Sequence, residues 1–167
     1  MIVAIGTHRG TFYGSSDKEI QGWIDHVMSD LIQAGTTSDG FEQMPECGAV
    51  CIVKGKYPEE TDERWPISYL QVAVNTGNGY GALRWFTTKP EGADSDHSRF
   101  VWISRNPTPP SFDPRLILDP PTPHYYPTES ALPAAQVREA IEEFCRVRTG
   151  ARPESIEWML CPFSLDE

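Results

Sequence analysis

Long hydrophobic runs are missing from this 167-residue chain, so no segment approaches the roughly 20 apolar residues of a membrane-spanning helix. The opening Met1-Ile2-Val3-Ala4-Ile5 has no basic leader and is too short for a secretory signal. A cytoplasmic protein that does not engage the membrane is expected. Basic side chains are scarce: 14 Lys and Arg stand against 24 Asp and Glu, a net charge of −10. Phosphate backbones are bound by clustered Lys and Arg, so this balance argues against nucleic acid as a direct partner and for a basic protein. Cysteines number four, and none forms a Cys-x-x-Cys pair with histidines nearby, so neither a disulfide framework nor a zinc site is expected. Cys47 and Cys51 would share one face of a strand, but buried reduced thiols explain them better than a metal site does.

Catalytic signatures are missing as well. The chain has no Gly-x-Ser-x-Gly elbow, no His-Glu-x-x-His and no phosphate loop. A zinc deaminase requires His-x-Glu followed by Pro-Cys-x-x-Cys, and neither half occurs. His8, His26, His97 and His124 read as solvated surface residues. No nucleophile, base and orienter can be named, so the expectation is a protein with no catalytic residue, cofactor or metal.

What is present describes a folded globule. Hydrophobic residues make up 39% of the chain, including five Trp, seven Phe and six Tyr, enough for the core of one domain spanning 1–167. Ile2–Ile5 and Thr11–Tyr13 read as short strands. Ser16 and Glu19 have capping-box spacing. Ile20, Trp23, Ile24, Val27, Met28 and Leu31 then recur at helical period, and Gly35 is the expected stop. Gly48–Val53 is a β-branched run. In 67–74, Leu70, Val72 and Val74 alternate with Tyr69, Gln71 and Ala73. Asn75–Gly79 supplies a hairpin turn into the strand Tyr80–Phe86, and Phe100–Ser104 is the next strand. Pro133, the stripe Val137, Ala140, Ile141 and Phe144, a left-handed close at Gly150 and the stop at Pro153 mark a second helix; a strand over 155–160 follows. The pattern predicts an α+β fold, a largely antiparallel meander sheet with two amphipathic helices packed on one face.

Two features remain. The segment 106–132 and the adjoining Pro133 hold nine of the fifteen prolines, read as a rigid loop wrapping the sheet around a short strand near Arg115–Leu118. Its two Pro-x-x-Pro spacings leave a peptide-type contact as the alternative. Carboxylates also cluster: Glu59, Glu60, Asp62 and Glu63 precede Trp65 in one inter-strand loop, and Glu91, Asp94 and Asp96 lie in another. If the four central strands pair in order, both loops leave the same end of the sheet. They would then form one acidic rim with Trp65 as an aromatic anchor.

Two segments also carry a family resemblance. Thr149-Gly150-Ala151-Arg152-Pro153-Glu154-Ser155-Ile156-Glu157-Trp158 after a helix, and Gly79-Tyr80-Gly81-Ala82-Leu83-Arg84-Trp85, resemble the C-terminal end and central strand of a bacterial immunity-protein family. That family belongs to polymorphic toxin systems and is commonly encoded beside nucleic-acid deaminase toxins. The resemblance implies a non-catalytic protein that binds a cognate toxin domain and occludes its substrate site. Candidate contacts are the acidic rim with Trp65 and, secondarily, Tyr125, Tyr126 and Glu129. A ligand- or peptide-binding module unrelated to a toxin is the other class left open, and an enzyme of unrecognised type the third.

Overall fold

The computed structural model describes residues 2–53, 55–56, 68–87 and 101–162. A hairpin of β1 (Ile2–Thr7) and β2 (Gly10–Gly14) leads into α1 (Asp17–Ser29). A small pair, β3 (Gly35–Thr36) and β4 (Glu42–Gln43), precedes β5 (Gly48–Val53), β6 (Ser68–Asn75), β7 (Tyr80–Thr87) and β8 (Val101–Arg105). The chain continues through β9 (Ile117–Asp119), β10 (His124–Tyr125), a 3-10 turn at Thr128–Ser130, β11 (Leu132–Pro133), α2 (Ala134–Val147) and β12 (Glu157–Leu160). The main sheet runs β12-β8-β7-β6-β5-β1-β2, with β11 joined to β7, and the pairings are antiparallel. This is the α+β meander that the alternating pattern implies.

Alternation divides the sheet into two chemically different faces. Val3, Ile5, Val50, Ile52, Leu70, Val72, Val74 and Leu83 point to one side. There they pack against Ile20, Ile24 and Val27 of α1 and Val137, Ala140, Ile141 and Phe144 of α2. Both helices therefore cover the same face. Ala73, Ala82 and Ile103 point to the other side, where Leu116, Leu118, Tyr126 and Ala131 of the Pro-rich segment form a second core over them. That segment is fixed by side-chain amides: Gln71 Nε2 donates to Leu118 O at 2.7 Å, and Asn75 and Asn78 both donate to Pro114 O. The Pro-rich segment therefore forms a third layer, packed through Leu116, Leu118, Tyr126 and Ala131, with the short strand β9 inside it.

The helix ends depart from the periodicity. Ser16 and Glu19 form the capping box of α1, but the helix stops at Ser29, well before Gly35. Asp30 caps it with its N–H on His26 O, and its carboxylate takes the Ser29 hydroxyl at 2.9 Å, which supports the turn away from helix. Leu31 stays buried beyond the helix end. α2 closes through Arg148 at φ 54°, not through Gly150. Arg148 is held by its own side chain, which reaches Cys145 O and Asp17. That ion pair and the one from Arg138 to Asp25 join α2 to α1.

β7 changes partner along its length. Arg84, Trp85 and Phe86 pair with β8, whereas Tyr80 and Gly81 pair with β11. The fully buried Ser104 hydroxyl manages the exchange, accepting from Leu83 N–H and donating to Ser130 O. A side chain at Gly81 would place its Cβ 2.8 Å from Ala73 O and 3.1 Å from Val137, so the bare backbone lets α2 approach the sheet.

Candidate functional site

The two segments that carry the family resemblance, far apart in sequence, meet in one knot. Gly150 O accepts both the Trp85 indole N–H, at 3.1 Å, and the buried Ser68 hydroxyl. Gly150 has φ 78°, and a Cβ there would run into Ser68 Oγ, so glycine is required twice over. Trp158 Nε1 donates to Pro153 O at 2.7 Å, and Glu143 on α2 receives the N–H groups of Glu154 and Ser155. Arg152 lies above three tryptophans from three adjacent strands. Its guanidinium carbon is 4.1 Å from the ring centroid of Trp102, 5.8 Å from Trp85 and 5.9 Å from Trp158. Burial lowers the Arg152 pKa, a cost offset by the negative faces of the rings. The motif residues are thus foundations, placed where β7, β8 and β12 approach one end of the sheet.

Four strands mark that end. The register Cys51↔Tyr69, Ser68↔Thr87 and Phe86↔Val101 sets the last residues of β5 and β7 beside the first residues of β6 and β8. The eight candidate residues Glu59, Glu60, Asp62, Glu63, Trp65, Glu91, Asp94 and Asp96 lie outside the described residues. The strand ends that bracket their two segments share this end of the sheet.

The three remaining candidates are described, and they differ. Glu129 is exposed beside β11, and its backbone carbonyl accepts Asn106 N–H. Tyr125 is half-buried, with the Arg115 guanidinium carbon 4.2 Å from its ring centroid. Tyr126, also a candidate contact, is only 4% exposed and belongs to the second core. Alternation across β10 and the turn after it sends consecutive tyrosines in different directions, so they do not act as a pair. Among the described residues four buried side-chain atoms have no hydrogen-bond partner: the Tyr126 hydroxyl, Gln71 Oε1, Arg84 Nε and Ser130 Oγ.

Sequence reasoning overlooked the opposite end of the sheet. Phe41 is 72% exposed, Phe112 48% and Met44 37%, three of the five exposed large hydrophobics among the described residues. Phe112 stands edge-on to Tyr80 with ring centroids 5.6 Å apart, beside the β6–β7 turn. The signal was the Ser-Asp-Gly-Phe run at 38–41, a turn sequence ending in an aromatic residue.

Chemistry is sparse among the described residues. His26 Nδ1 lies 2.8 Å from Asp30 Oδ2, with the His26 ring edge-on to Phe12 and Trp23, and His8 contacts Glu46. The Ser29 hydroxyl, then His26, lowers the Asp30 pKa on an open surface, a stabilised carboxylate and not a base poised in a cleft. All four cysteines are free thiols. Burial pushes Cys47 and Cys51 up to about 11 and Cys145 up to about 12, so these three stay protonated and unreactive. Among the described residues no three His, Cys, Asp or Glu side chains gather as a metal site requires, and no helix is long and apolar enough to cross a membrane. A groove of about 220 Å³ between the helices, lined by Asp17, Ile20, Gln21, Glu142, Cys145 and Arg146, is smaller than ordinary ligand pockets of about 300–1,000 Å³.

Together these features define a rigid α+β scaffold built to present surface. The family model described as Immunity protein Imm1 matches residues 8–160, and the chain belongs to this family of immunity proteins. No curated protein and no solved structure matches it. Membership implies a cognate toxin protein as its partner and toxin neutralisation, a non-enzymatic role, as its task.

Proposed function

We propose that this immunity protein neutralises a nucleic-acid deaminase toxin by covering the entrance to its substrate site. The family match over residues 8–160 carries the reading. The deaminase chemistry comes from the resemblance of the 79–85 and 149–158 segments. The net charge of −10 supports the mode of action, since a nucleic-acid channel is lined with cations that an acidic surface complements. The contact surface in this reading is the acidic rim of Glu59, Glu60, Asp62, Glu63, Glu91, Asp94 and Asp96 with Trp65 as anchor. The shared end of the bracketing strands supports it. Exposed Glu129 and the half-buried ring of Tyr125 are secondary contacts. The protein acts in the cytoplasm, binds protein and not nucleic acid directly, and buries an interface of about 1,600 Å² in total.

The test is a titration against the toxin domain encoded by the neighbouring gene, with cytosine deamination as readout. Complete loss of deamination at one-to-one stoichiometry is the expected result. Tight binding that leaves deamination intact would overturn the occlusion mechanism, and absence of binding would overturn the pairing itself.

A further inference from the structure

Phe41 is the most exposed large hydrophobic among the described residues, yet it stands on a hydrogen-bonded turn. Thr37 N–H donates to Phe41 O at 2.8 Å, Gly40 N–H to Thr37 O at 2.9 Å, and Phe41 N–H to Thr37 Oγ1 at 3.1 Å. Gly40 adopts φ 84°. Below this tip, β3 and β4 pair through Gly35↔Gln43 and Thr36↔Glu42. The root is tied twice to the body. The Gln33 side chain donates to Val74 O and accepts from Thr76 N–H. The Glu46 carboxylate accepts from Ile32 N–H and from His8.

An exposed phenyl ring on a hydrogen-bonded turn gains nothing for the fold. It offers a partner a large apolar contact whose ordering entropy is already spent. The surrounding charge selects the partner. From residue 19 to residue 53 the sequence has no Lys or Arg, and of its six carboxylates Asp39 and Glu42 lie nearest Phe41 in the chain, whereas Asp25, Asp30 and Glu46 are engaged by Arg138, His26 and His8. Asp39 lies two residues before Phe41 and Glu42 directly after it, and the exposed Met44 follows three residues on. A second copy of this chain would set these carboxylates against their own kind, and an anionic lipid surface would repel them.

Resting on the toxin-binding reading, we propose that the 37–41 tip is a preorganised aromatic anchor that seats Phe41 in an apolar pocket of the toxin domain bordered by basic side chains. It makes a contact separate from the acidic rim, at the opposite end of the sheet.

The test compares wild type, Phe41→Ala and the double variant Asp39→Lys/Glu42→Lys for binding to the toxin domain by surface plasmon resonance, with thermal melts alongside. Phe41→Ala should weaken binding about 30-fold or more, mainly through faster dissociation, with an unchanged melting temperature. The charge reversal should slow association at low salt. Wild-type binding with an unaffected Phe41→Ala overturns this anchor and leaves the toxin reading standing. A wild-type protein that does not bind the toxin overturns both. A wild-type dimer that Phe41→Ala dissociates in sedimentation assigns the tip to a second copy and overturns the proposal.

Discussion

The two ends of the central sheet offer a partner different things. At one end, Val53, Ser68, Thr87 and Val101 bracket segments whose sequence is rich in carboxylates. At the other, side-chain amides from Gln33, Asn75 and Asn78 tie the surrounding segments to the β6–β7 hairpin and its neighbours, and Phe41, Met44 and Phe112 stand exposed. Clustered charge acts at long range and governs how quickly and in what orientation a partner arrives. Ordered apolar surface acts only on contact and governs how long the partner stays. An inhibitor that must find its toxin quickly and hold it needs both, and the strand ends that bracket the acidic segments lie at the opposite end of the sheet from Phe41 in the proposed reading.

The comparison holds only if the sheet between the ends is rigid, so the largest expected effect is on the knot. Trp85→Ala removes a ring packed against the main core and the donor to Gly150 O. We expect a loss of about 3–5 kcal/mol in urea unfolding. An unmoved transition would mean that the acidic end has no fixed foundation. Next comes the rim. Replacing Glu59, Glu60, Asp62 and Glu63 by Ser should slow toxin association about tenfold at low salt and flatten its salt dependence, with little change in dissociation. Phe41→Ala should do the reverse. If both variants alter the same rate constant, the division of labour between the ends is wrong.

Much of this architecture could be read in the sequence because it rests on periodicity. The alternation in β6 and β7 and the 3.6-residue stripes of α1 and α2 each record which face is buried. The features that escaped depend on contacts distant in the chain. β3 and β4 are two residues each, too short for a period, and are held by Gln33 and Glu46. Arg148 takes the left-handed position at the end of α2 because Gly150 is needed two residues later against Ser68. The resemblance identified the residues of the knot, but not that Trp85 and Gly150, 65 residues apart, bond to each other. Tyr125 and Tyr126 stand as equal candidates in the sequence because it cannot tell which of two adjacent tyrosines turns inward.

A smaller effect concerns the link from α2 to β12. The Glu143 carboxylate is partly desolvated, which raises its pKa, but the N–H groups of Glu154 and Ser155 outweigh this and hold it below the usual value. A carboxylate with a lowered folded-state pKa contributes stability above its unfolded pKa and loses it as pH falls through the folded one. Glu143→Gln should therefore cost about 1 kcal/mol at pH 7. The difference from wild type should shrink as pH falls from the ordinary glutamate value, about 4.3, through the lower folded-state value, below which both side chains are neutral. A difference that does not change with pH would assign the effect to packing.

The smallest expected effect is the most diagnostic for the layer that joins the two ends. The Tyr126 hydroxyl is buried under the Pro-rich segment with no hydrogen-bond partner among the described residues, and burial drives its pKa well above the ordinary phenol value. An unsatisfied buried polar group costs about 1–3 kcal/mol, so Tyr126→Phe should leave the melting temperature unchanged or raise it. Tyr126→Ala, which empties the second core, should cost about 3–5 kcal/mol. Toxin affinity should not respond to Tyr126→Phe, because the ring does not reach the surface. If affinity falls while the melt stays put, the hydroxyl meets the partner, and the 107–131 layer must lift from the sheet when the toxin binds. The two ends would then be coupled through that layer and could not be treated as independent contacts.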